Sequence, residues 1–69
     1  MSDISSRIKK ALDIRNMTQT DLAQKTGIGK SSISTYIAGH YSPKQENIKK
    51  MACALSVNEG WLQGDDVPM

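Results

Sequence analysis

Sixty-nine residues, 38% of them hydrophobic and 23% charged, suffice for one small domain on a single core. A single cysteine excludes an intramolecular disulfide framework and a multi-cysteine zinc site. With no apolar signal core in MSDISSRIKK and no run near the roughly 20 apolar residues of a membrane span, the chain reads as a soluble cytoplasmic domain. The net charge of +2 divides unevenly. Residues 1–58 hold all nine basic residues and four acids, a net of +5, whereas residues 59–69 hold Glu59, Asp65 and Asp66 and no base. Such a body suits a polyanionic partner and equally a well-solvated surface.

No repeat, low-complexity tract or strand alternation interrupts the chain, which reads as five short helices with tight connections, an all-α architecture. In the first, about Asp3 to Arg15, Ile4, Ile8, Ala11 and Leu12 line one face, with Arg7, Lys9, Lys10 and Asp13 largely off it. The second follows Thr18, whose hydroxyl caps backbone donors while Asp21, three positions on, completes a capping box. Leu22, Ala23 and Thr26 face inward. Gly27 supplies a left-handed turn, and Ile28 plugs the elbow. A third helix spans about Lys30 to Ala38 and stops at Gly39.

After the loop His40-Tyr41-Ser42, the order Ser42, Pro43, Gln45 predicts a cap, a first-turn proline and a capping-box partner. That fourth helix, about Lys44 to Leu55, is expected to bury Ile48, Met51, Ala52 and Leu55. A short last helix from Asn58 places Trp61 and Leu62 in the core and ends at Gly64. Residues 65–69, DDVPM, read as the frayed start of a linker or a disordered tail, so the domain is expected over 1–64. The apolar list is enough for one core and leaves nothing to wall a deep ligand pocket.

The third helix carries the functional signal. Ile33, Tyr36 and Ile37 gather on one side, while Ser31, Ser34, Thr35 and Ala38 form the opposite stripe and Lys30 projects from the first turn. Ser and Thr are weaker helix formers than Glu, Lys or Ala, and a first-turn cation opposes the helix dipole, so stability alone does not explain this face. Short side chains let a helix backbone approach a partner closely, and the DNA major groove admits one helix. There Lys30 suits guanine O6 and N7, Ser31 several base edges, and the Thr35 methyl a thymine methyl. Two helices joined by a glycine turn, the second of them polar, make a helix-turn-helix over about residues 18–38. Gln19, in the first turn of the helix before the turn, is placed for a phosphate.

These residues resemble the lambda-repressor-like DNA-binding domains of phage repressors and Cro proteins. The resemblance covers nearly the whole chain, from Ser5 to Gly64. It rests on MTQTDLAQKTGIGKSSISTYIAG, then a proline, IKKMACALSV and WLQG at matching spacings. It implies that Gln19 contacts backbone phosphate and braces the recognition helix. It implies base contacts from Lys30, Ser31 and Thr35, with Ser34 and Ala38 nearby on the same face, Ala38 as a backbone contact. His40, Tyr41 and Ser42 match backbone-contacting positions, and Lys44 and Asn47 are expected to add to them. Lys30 and Ser31 stand where glutamines are common in the family, so no relative's operator transfers. The ending WLQGDDVPM looks like the point where longer repressors pass into a linker and an oligomerisation domain.

Gly29-Lys30-Ser31 spells the end of a phosphate-binding loop, but that pattern needs a glycine where the chain has Gln24, and a preceding strand. His40 is the lone histidine, read as a loop residue, and Cys53 is read as a small buried apolar residue. No enzyme, metal or cofactor is expected. The expected function is sequence-specific double-stranded DNA binding as a transcriptional repressor, with a homodimer that is weak for the isolated domain on a two-fold operator, and an antirepressor protein as a conceivable further partner. The alternative is a helix-turn-helix antitoxin or a protein-interaction module.

Overall fold

Five helices follow one another in a computed structural model of the chain, which describes residues 4–69: α1 (Ile4–Arg15), α2 (Gln19–Thr26), α3 (Lys30–Ala38), α4 (Gln45–Leu55) and α5 (Glu59–Leu62). No strand occurs among the described residues. The expected start of α1 at Asp3 lies outside them. Each helix drives at least one side chain wholly out of water: Ile8 from α1, Leu22 from α2, Ile33 from α3, Met51 and Leu55 from α4, and Leu62 from α5. One contiguous core results, with Trp61 and Tyr36 also buried in it and Met17, Ile28, Ile37 and Val57 packed at its edge.

The connection between α2 and α3 follows local chemistry. Thr18 Oγ1 accepts from the Asp21 N–H, and the Asp21 carboxylate accepts from the Thr18 N–H, both at 3.1 Å, so the capping box is complete. Gly27 ends α2 at φ 76°, a left-handed conformation that costs a residue with a Cβ about 1–2 kcal/mol. Thr26 closes the elbow, its hydroxyl donating to the Leu22 carbonyl at 2.8 Å and accepting from the Ile28 N–H at 3.2 Å. Gly39 stops α3 in the same left-handed region, at φ 81°.

Three expectations are corrected. The cap of α4 is Lys44, in extended conformation and without a side-chain cap bond, rather than Ser42; the helix starts at Gln45, which leaves Pro43 outside its first turn. Pro43 and Ile48 are both buried, at the position before the cap and the fourth position of the helix, the two sites of a hydrophobic staple. Burial of the proline ring sets the entry here, and a hydroxyl cap gives way to it. Gln45 is no capping-box partner; its amide donates to the Glu59 carboxylate.

Cys53 is exposed, not buried. The buried stripe of α4 runs through Ile48, Met51, Ala52 and Leu55, and one further residue past Ala52 rotates the side chain about 100° out of it.

Residues 65–69 fold back on the body instead of fraying. The Asn58 N–H donates to the Met69 carbonyl at 3.1 Å, and Met69 packs at the edge of the core. Arg7 on α1 holds the same region. Its Nη1 donates to the Trp61 carbonyl at 2.8 Å and the Asp65 carbonyl at 3.1 Å, with the guanidinium 5.0 Å from the Trp61 ring centroid. Arg15, at the other end of α1, donates from Nε to the Leu55 carbonyl at 2.8 Å and from Nη2 to the Ser56 carbonyl at 2.9 Å. It thereby satisfies carbonyl groups that the end of α4 leaves without helical partners. Among the described residues, no helix is long and apolar enough to cross a membrane.

Candidate nucleic-acid interface

α3 is anchored from one side and open on the other. Ile33 and Tyr36 are buried and Ile37 is half-buried, whereas Lys30, Ser31, Ser34 and Ala38 are exposed and Thr35 is half-buried. The Thr35 hydroxyl donates to the Ser31 carbonyl at 2.9 Å. Its proton is therefore committed within the helix, and a partner meets the methyl group and an acceptor lone pair. The first turn of α3 contains no acid, so the Lys30 ammonium is not neutralised from its own helix end.

Gln19 is the first residue of α2. The Thr18 cap takes the Asp21 N–H, and the Leu22 N–H donates to the Thr18 carbonyl at 3.1 Å. The Gln19 and Thr20 N–H groups thus remain at the helix end, where the dipole favours an anion. Beside this end lies a groove of about 630 Å³ lined by residues of three helices, among them Lys9, Lys10, Asp13, Gln19 and Ile37. The groove places Gln19 next to α3 through Ile37. It also brings in Lys9 and Lys10, both exposed, which the sequence places only off the apolar face of α1. The excess of positive charge over residues 1–58 pointed their way; the packing of α1 against α3, beside the start of α2, is what locates them.

Past Gly39, His40, Tyr41 and Ser42 are all exposed, as is Lys44 at the cap of α4. Tyr41, 62% exposed, stacks on Tyr36 with ring centroids 6.3 Å apart and planes inclined by 10°. Asn47 is half-buried and donates from its amide to the Tyr36 hydroxyl at 3.0 Å. One of its two N–H groups is therefore turned toward α3, and the rest of the amide is left for an outside partner. The expected residues thus fall into a continuous run from Lys30 to Ser42, with Gln19 flanking it across Ile37 and Asn47 behind it.

Comparison with known proteins bears on the fold that carries these residues. A family model described as helix-turn-helix matches residues 8–62. An "HTH-type transcriptional regulator for conjugative element SXT" from Vibrio cholerae is 36% identical over 66 residues, covering 96% of this chain and 30% of that protein. The regulator of the same description for conjugative element pMERPH from Shewanella putrefaciens matches with the same identity and coverage. An "Uncharacterized HTH-type transcriptional regulator" from Archaeoglobus fulgidus is 42% identical over 53 residues, covering 77% of this chain and 23% of that one. The chain spans less than a third of the length of these relatives.

Proposed function

The chain belongs to the lambda-repressor-like helix-turn-helix family, and from that premise we propose that it binds double-stranded DNA sequence-specifically as a transcriptional repressor. α3 enters the major groove. Lys30, Ser31, Ser34 and Thr35 meet base edges, and Gln19, Ala38, His40, Tyr41, Ser42, Lys44 and Asn47 meet the backbone. Lys9 and Lys10 add phosphate contacts beside Gln19. The observation that carries this reading is the split of α3 between a buried apolar side and an exposed side of short polar groups headed by Lys30. A helix built only to close the core has no use for the second.

The repressor reading implies a homodimer on a two-fold operator, with half-sites about 34 Å apart, one turn of the duplex. Relatives named as regulators for conjugative elements support a setting on a mobile element, of which a phage or prophage is one form. Selection of sites from random duplex DNA tests the proposal. Recovery of a two-fold symmetric motif is expected. Failure to enrich any motif, with the chain folded and fused to a coiled-coil dimeriser, overturns it.

A further inference from the structure

At the end of α2 away from Gln19, a second groove of about 390 Å³ runs between α2 and α4, lined by Lys25, Thr26, Lys49, Lys50, Cys53 and Ala54. Its floor is made of small groups with little to offer a polar partner. Ala54 and Cys53 line it, and the Thr26 hydroxyl is already bonded within the elbow to the Leu22 carbonyl and the Ile28 N–H. Three lysines from two helices form the rim. Among the described residues, Lys50 pairs only with Glu46, at 3.8 Å across one helical turn, and no ion pair joins Lys25 or Lys49. An exposed pair of that kind contributes little and re-forms easily with another acid. An apolar floor ringed by cations fits a segment that carries apolar side chains flanked by carboxylates.

We propose that the α2–α4 groove docks an acidic amphipathic segment of another protein. A nucleic-acid backbone would meet the lysines and gain nothing from the floor. None of the six lining residues belongs to the interface assigned to DNA. At 1.5 Å per residue, Lys25 stands roughly 9 Å along α2 from Gln19. A segment seated there leaves the outer face of α3 open, so the protein partner and the duplex are held together. The docking surface goes beyond the DNA-binding reading and does not depend on it.

The test is a selection of random twelve-residue peptides on the 69-residue chain, with Lys25→Gln/Lys49→Gln/Lys50→Gln as the counter-selected variant. All three side chains are exposed, and circular dichroism checks that the variant folds. The expected peptides combine Asp or Glu with Leu, Ile, Phe or Trp, and bind the variant at least tenfold more weakly. A bulky maleimide adduct on the exposed Cys53 blocks them, because it fills the floor without removing charge. Four outcomes overturn the proposal. The first is no enrichment, or peptides without acids. The second is acidic peptides that survive the Cys53 adduct or that are lost with Lys9→Gln/Lys10→Gln instead, which places them on the other groove. The third is a tenfold loss of affinity for random-sequence duplex DNA in the triple variant, which assigns the lysines to nucleic acid. The fourth is self-association of the unmodified chain that the triple variant abolishes, which makes the occupant a second copy.

Discussion

The Tyr36 hydroxyl, on the inner side of α3, accepts a 3.0 Å hydrogen bond from the Asn47 amide on α4, while the face of the same ring carries Tyr41. One side chain therefore fixes both α3, the helix proposed to read DNA, and the loop that follows it. The outer face of α3 owes its orientation to this inner attachment as much as to Ile33.

Breaking that attachment is expected to show in stability. Tyr36→Phe and Asn47→Ala are each expected to lower unfolding free energy in urea by about 1 kcal/mol, the net worth of a typical hydrogen bond. The double variant is expected to lose little more than either one. Additive losses would mean that the two groups act separately.

Lys30→Ala is expected to weaken binding by about 1–3 kcal/mol at one base pair of the selected site and to relax preference there. Gln19→Ala is expected to weaken all sequences alike, because phosphate carries no base identity. Competition binding with single-base variants of the site distinguishes them. An equal loss on every site for Lys30→Ala would make Lys30 a phosphate ligand.

Lys9→Ala and Lys10→Ala test the groove beside Gln19. Each phosphate contact removed should reduce the slope of log affinity against log salt by about 0.9 on duplex DNA. Titrations across a salt series read this directly. An unchanged slope in both variants would leave α1 outside the interface.

Thr18→Ala removes half of the capping box and is expected to cost about 1 kcal/mol of stability. It also loosens the helix end that carries Gln19, so DNA affinity should fall uniformly across sequences. Thr18→Ser, which keeps the hydroxyl, should restore both. Restored stability with unrestored affinity would point to a direct role for the Thr18 methyl.

The unit from α2 to α3 was legible because its instructions are written locally. Thr18 and Asp21 bond to each other, and Gly27 and Gly39 stand where left-handed backbone is required. The start of α4 was not, since Ser42-Pro43-Gln45 is a valid cap signal by itself. What outranks it is the burial of Pro43, which depends on the assembled core. Cys53 follows buried Ala52 by a single helical step, and its small apolar side chain suits either side of the stripe's edge. The seat of residues 65–69 leaves no trace in composition because backbone carbonyls make it: Asp65 accepts from Arg7 and Met69 from Asn58. In the candidate site, the outward face of α3 showed in its serines. Lys9 and Lys10 stayed anonymous until α1 was laid against α3, beside Gln19. The inward turn of Asn47 likewise needed Tyr36 in place.

Arg7 reaches carbonyls 54 and 58 residues downstream, and Arg15 reaches others 40 and 41 residues downstream. α1 thus finds polar partners in segments that follow it by 40 to 58 residues. A nascent chain halted before Leu55 has neither guanidinium seated, and the stripe of α1 around Ile8 lacks Leu55 and Leu62 as neighbours in the finished core. Closure of the α4 and α5 side of α1 therefore waits on residues 55–65, and a chain truncated before them leaves that side of the helix uncovered.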